Sequence, residues 1–112
     1  MTPNEPGMDS LNLIEDIDGI IHAPTRLKIM ACLAVVESAD FTFLMRQTGL
    51  TRGNLSPNLR KLEDTGYVSI HKEFVDRVPR TLIRLTDKGR TALESYRESM
   101  QSILNELLVG KE

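Results

Sequence analysis

The sequence predicts a mainly α-helical domain carrying one small β-hairpin, an α+β fold. Three observations predict it. Between residues 24 and 66 apolar residues recur at helical spacing, punctuated by Gly49 and Gly66. Between residues 67 and 85 the period drops to two, and from Leu93 to Leu107 it returns to helical steps of three and four. A chain of 112 residues fits one domain and is long enough to bury roughly two-thirds of its unfolded surface.

Taken in order, residues 1–8 hold two prolines and a glycine and are expected to form a flexible tail, with residues 9–112 as a single domain. From Asp9 an acidic amphipathic helix is expected, capped by Ser10. Leu11, Ile14 and Ile17 share one side, Leu13, Ile20 and Ile21 widen it, and Gly19 ends it. Pro24 suits the first turn of the next helix, which should run to about Glu37. Leu27, Ile29, Met30, Leu33, Ala34 and Val36 leave that helix apolar nearly all round, the mark of a central element. Cys32 lies within it and reads as an inert, buried thiol.

Asp40 and Phe41 precede Thr42, which is expected to cap a short helix over Phe43–Thr48, stopped by Gly49. Thr51 is the N-cap and Gly66 the stop of a helix over about 52–65. Leu55, Leu59 and Leu62 form one narrow stripe on it. The opposite arc carries Gly53, Pro57, Arg60, Lys61 and Asp64, flanked by Asn54 and Ser56. Amide, hydroxyl and guanidinium groups on one side of a helix suit a major groove, although any half-buried surface helix shows the same stripe. Helix, glycine turn, helix is the spacing of a helix-turn-helix. Pro57 inside a helix forfeits a backbone hydrogen bond at a cost of about 3 kcal/mol. A kink, or a regular helix beginning only near Ser56, is therefore expected.

Past Gly66, Val68, Ile70, Lys72 and Phe74 fall on one side of a strand, and Thr81, Ile83 and Leu85 on one side of a second. Val75–Pro79 reads as the hairpin tip, placing Arg77 and Arg80 on a projecting loop. Arginine there reaches phosphate or a minor groove, or serves as solubilising charge on an exposed edge. Thr86 then caps a long helix to about Val109. Leu93, Tyr96, Met100, Ile103 and Leu107 make a coiled-coil-like seam, broadened by Leu104 and Leu108. With Leu11, Ile14 and Ile17 of the first helix, this seam is the expected dimer interface.

The net charge of −2 conceals a strong asymmetry. Residues 1–22 carry −5, residues 44–90 carry +5 from ten bases against five acids, and residues 91–112 carry −2. Bases crowd around the helix at 52–65, as expected for a phosphate-binding face or, equally, a solvated basic surface.

At the residue level, Pro24-Thr25-Arg26-Leu27-Lys28-Ile29-Met30 resembles the opening helix of ArsR- and MarR-type regulators. Leu55-Ser56-Pro57-Asn58-Leu59-Arg60-Lys61-Leu62-Glu63-Asp64-Thr65-Gly66-Tyr67-Val68 resembles their recognition helix running into the wing. Leu85-Thr86-Asp87-Lys88-Gly89-Arg90 is similar to the start of their last helix. The match covers about residues 24–97 in one order, that of a winged helix-turn-helix. The resemblance implies a homodimeric transcriptional regulator, a repressor, reading a pseudo-palindromic operator in double-stranded DNA. It implies a DNA-binding core over 24–86, with a recognition helix over about 52–65 and a wing over about 67–85. Dimerisation helices lie over 9–22 and 87–109. DNA-contacting roles carry over to Arg52, Asn54, Ser56, Asn58, Arg60 and Lys61 on the helix, and to Arg77 and Arg80 on the wing. Pro57 stands where the family commonly has a small or basic residue.

Other classes find little support. The longest apolar run, Ile29–Val36, is eight residues, against the roughly 20 that span a bilayer, and the polar, acidic opening shows no secretory signal. One cysteine excludes an intramolecular disulfide framework and fits the cytoplasm. The metal-sensing branch of ArsR-type proteins carries paired cysteines or His/Asp pairs. This chain has neither, and His22 and His71 are isolated, so no metal or other cofactor is expected. No phosphate-cradling glycine loop or nucleophile arrangement points to an enzyme. The alternative is a winged-helix module that docks on protein within a larger assembly.

Overall fold

From Pro24 onward, capping residues divide the described chain into four helices and one hairpin, with a further helical stretch ahead of them. The structure, a computed structural model, describes residues 13–109. The expectations for the tail at 1–8, the cap at Ser10 and the apolar side chain of Leu11 lie outside that range. Residues 13–15 are helical, and a bend at 16–17 ends that helix ahead of Gly19. Asp18 explains the early stop. Its Oδ1 accepts the backbone N–H of Ile20 at 2.9 Å and of Ile21 at 3.3 Å, offering the chain a turn in place of further helix.

The helix α1 (Pro24–Ala34) starts on its proline and buries Ile29, Met30 and Leu33. It ends about three residues sooner than expected, capped by Val35, because the chain must turn to pair with the hairpin. Ala39 and Ile83 exchange both backbone hydrogen bonds, at 2.9 and 2.7 Å. The helix α2 (Phe41–Thr48) begins two residues before the expected start. Asp40, not Thr42, is the cap, its carboxylate accepting the Phe43 N–H at 2.8 Å. Gly49, at φ 74°, closes α2 in the left-handed conformation that glycine adopts without a Cβ penalty.

The helix α3 (Arg52–Thr65) is capped by Thr51, whose hydroxyl accepts the Asn54 N–H at 3.3 Å. It runs unbroken through Pro57, so the expected start near Ser56 is not what forms. The carbonyl that Pro57 leaves without a partner belongs to Gly53, and both residues are exposed, so water can satisfy it. Gly66, at φ 88°, ends α3.

The strands β1 (Val68–Val75) and β2 (Val78–Leu85) pair antiparallel, Val68 opposite Leu85 and Val75 opposite Val78. The tip is therefore only Asp76 and Arg77, both left-handed, at φ 52° and 68°, a two-residue hairpin turn. Val75, Val78, Pro79 and Arg80, expected in the loop, belong to the strands. Pro79 is tolerated because it sits opposite Phe74 in a pair that exchanges no backbone hydrogen bonds.

The helix α4 (Asp87–Val109) is held at its start by Thr86, whose hydroxyl donates to the Gly66 carbonyl at 2.6 Å and accepts the Gly89 N–H at 3.0 Å. A Cβ on Gly89 would lie 2.1 Å from the Tyr67 carbonyl oxygen, so only glycine lets α4 leave the hairpin this closely. Ile21, Ile29, Met30, Leu33, Leu44, Leu55, Leu59, Leu62 and Ile83 form the fully buried centre. Cys32 is half-buried, and burial pushes its thiol pKa up, which keeps it protonated and unreactive.

Candidate nucleic-acid interface

The apolar stripe of α3 fixes which way its other side points. With Leu55, Leu59 and Leu62 buried, the same period turns Arg52, Asn54, Ser56, Arg60 and Lys61 into solvent. Among the described residues, the side chains of Ser56, Arg60 and Lys61 have no hydrogen-bond or ion-pair partner within the chain, so these groups stay open to a ligand. Asn58 differs. It is half-buried, donates to the Asn54 carbonyl at 2.7 Å and accepts from Arg26 Nη1 at 3.3 Å. Arg26 is itself anchored, its Nε donating to the Ile20 carbonyl at 2.6 Å. The chain thus uses Asn58 partly to lock α3 against α1, whereas the family resemblance implied only a contact role for it.

A second cluster forms where α2, α3 and β2 converge. Arg52 lies over the Phe41 ring at 4.8 Å from its centroid. Arg80 Nη1 is 3.3 Å from Asp40 Oδ2, with both side chains partly exposed. Asp40, Phe41, Thr42, Arg52, Arg80 and Thr81 line one shallow polar groove. Arg52 and Arg80, far apart in sequence, are therefore neighbours at the start of α3. Asp40 and Phe41, which hold them, were not foreseen; a carboxylate that caps one helix and pairs an arginine forty residues on leaves no periodic signal.

Arg77 stands at the hairpin tip, exposed and with no side-chain partner among the described residues. On the hairpin's outer face Arg84 pairs with Glu73 at 2.7 Å, which holds the Glu73 carboxyl below its usual pKa. At the hairpin base the Tyr67 hydroxyl donates to Asp18. Burial first, and Asp18 second, push the Tyr67 pKa up to about 12.

The expected dimer residues divide. Leu93, Tyr96 and Met100 are half-buried and line a groove of about 460 Å³ with Leu27 and Ala34, rimmed by Arg90, Glu94 and Arg97. Ile17 is half-buried and Ile14 exposed. Leu104 is 50% exposed, Leu107 36% and Leu108 72%. Ile103 is buried within the single chain. His22 Nδ1 lies 2.9 Å from the Tyr96 hydroxyl, and His71 is exposed on β1. Among the described residues no cluster of three or more His, Cys, Asp or Glu is placed to hold a metal ion, and no helix is long and apolar enough to cross a membrane.

A two-helix turn with an exposed basic reading face, followed by a hairpin, is the construction of a winged-helix DNA-binding domain. The family model described as winged helix DNA-binding domain matches residues 25–104, and the chain belongs to that family. Over 77 residues it is 38% identical to the uncharacterized protein MJ0432 of Methanocaldococcus jannaschii, covering 69% of this chain and 84% of that one. A transcriptional regulator homologue from Pyrococcus horikoshii OT3 superposes with a TM-score of 0.79 at 33% identity, over 89% of this chain and 98% of that one. The transcriptional repressor CouR, solved bound to a 23-mer DNA duplex, shares the fold at 21% identity. Its TM-score is 0.70, over 92% of this chain and 70% of that one. The protein is a winged-helix, DNA-binding transcriptional regulator.

Proposed function

We propose that the protein is a cytoplasmic homodimeric repressor that reads a two-fold operator, each copy placing α3 in a major groove. The observation that carries the reading is the exposed face of α3, where Arg60 and Lys61 stand without intrachain partners beside the Arg52–Arg80 cluster. Arg60 and Lys61 meet phosphates or guanine edges, Asn54 and Ser56 offer amide and hydroxyl groups to base edges, and Arg77 reaches out from the wing. CouR, a repressor on duplex DNA with the same fold, supports the sign of regulation. The uncovered leucines of α4 support the pairing of copies.

Selection of bound duplexes from a random pool tests this reading. The expected product is an inverted repeat with half-site centres roughly one or two helical turns apart, about 34 Å per turn. A pool that yields no enriched duplex at low salt, or half-sites in no fixed spacing, defeats it.

A further inference from the structure

The wing ends in apolar surface that the fold does not use. Phe74 is 79% exposed, Val78 50% and Val75 38%. The register puts Phe74 opposite Pro79, on the face that nearer the core carries Thr81, Ile70 and Ile83; Val75 and Val78 pair on the other face. That face is the one whose Ile70 and Ile83 turn to the core, while the groove at the start of α3 is bordered from both faces, by Arg80 and by Thr81. At about 3.3 Å per residue, the four residues that separate Phe74 from Ile70 and Pro79 from Ile83 carry this surface roughly 13 Å beyond those isoleucines.

The turn is a second, independent anomaly. Asp76 and Arg77 both hold left-handed backbone, and the second central position of such a turn ordinarily falls to glycine. Arginine is kept there against that preference, at the extreme end of the wing, and Lys72 is exposed on the Phe74 face.

The size of the patch selects the partner. A specific protein interface buries about 800 Å² on each side, far more than one phenylalanine, two valines and a proline supply. A duplex minor groove asks for less: its sugar walls are apolar, its lips are phosphates, and single apolar side chains wedge between its base steps. The affinity comes from α3, and the tip has only to deform what lies beside the half-site.

Resting on the DNA-binding reading above, we propose that Phe74, backed by Pro79, is a minor-groove wedge that partly unstacks one base step flanking each half-site, with Arg77 and Lys72 on the phosphates at its lips. The preferred flank is then a flexible pyrimidine–purine step, chosen without base-edge hydrogen bonds.

The test uses the full chain on its selected duplex, with 2-aminopurine placed at each flanking step in turn. Wild type should raise the fluorescence at one step on either side. Phe74→Ala should abolish that rise and weaken binding about tenfold, leaving the slope of log affinity against log salt unchanged because no charge is lost. Phe74→Leu should retain both. Arg77→Ala should instead lower the salt slope by about one. Binding by wild type with no fluorescence rise in the flanks, or a Phe74→Ala protein that keeps both rise and affinity, overturns the wedge while DNA binding stands. A wild-type chain that binds no duplex overturns the DNA-binding reading itself and the wedge with it.

Discussion

The helices α3 and α4 begin alike, each on a threonine cap and each with a single apolar stripe, yet the fold finishes only one of them. On α3 the stripe is fully covered by the chain's own core, and the polar face is left with unpaired cations. On α4 the first turns rest against α1, while Leu104, Leu107 and Leu108 remain in solvent. The first helix is incomplete electrostatically and the second hydrophobically. On the function proposed above, each deficit describes the partner that removes it: a polyanion for α3, another apolar helix surface for α4.

Substitutions on the two helices should therefore separate. The largest effect is expected at the covered stripe, where Leu59→Ala opens a cavity and lowers unfolding free energy by about 2–5 kcal/mol in a denaturant titration. Gly89→Ala, forced against the Tyr67 carbonyl, should cost about 1–3 kcal/mol by the same measurement. Next comes the uncovered stripe. Leu104→Asp with Leu108→Asp should leave the melting temperature of the monomer unchanged and shift the sedimentation of the protein from dimer to monomer; if it still sediments as a dimer, α4 is not the contact. Arg60→Ala should leave stability within about 0.5 kcal/mol and weaken duplex binding by about 1–3 kcal/mol in a gel shift. Equal loss of stability would place Arg60 in the fold and erase the contrast.

The smallest effect concerns Tyr67. Its pKa in the folded chain, about 12, lies above the ordinary tyrosine value of 10. Its contribution to stability is therefore complete below pH 10 and lost as pH rises through about 12. Tyr67→Phe should flatten alkaline unfolding across that window, read by circular dichroism.

How much of this was legible in the sequence follows the range of the signals. Leu55, Leu59, Leu62, the Thr51 and Thr86 caps and both glycine stops are local patterns, and each appears where spacing put it. Boundaries that depend on distant partners shifted. α1 stops short because Ala39 must reach Ile83, and α2 begins early because Asp40 both caps it and meets Arg80. Pro57 misled for another reason: its penalty is set by what surrounds the orphaned Gly53 carbonyl, and that surrounding is solvent. The exposed residues Arg52, Asn54, Ser56, Arg60, Lys61, Arg77 and Arg80 were readable as a set. The contacts that pose Arg52, Asn58 and Arg80 were not, because Phe41, Arg26 and Asp40 carry no mark of that duty.

The flush joint at Gly89 has a mechanical corollary. Thr86, Gly66 and Tyr67 grip the first turn of α4 with no slack, so the helix leaves the wing as a stiff arm of 23 residues. At about 1.5 Å per residue that arm is roughly 34 Å long, and a tilt of five degrees at its root displaces the far end by about 3 Å. Two such arms joined at their tips would act as a caliper, whose jaw opening is set by the angle at a single glycine.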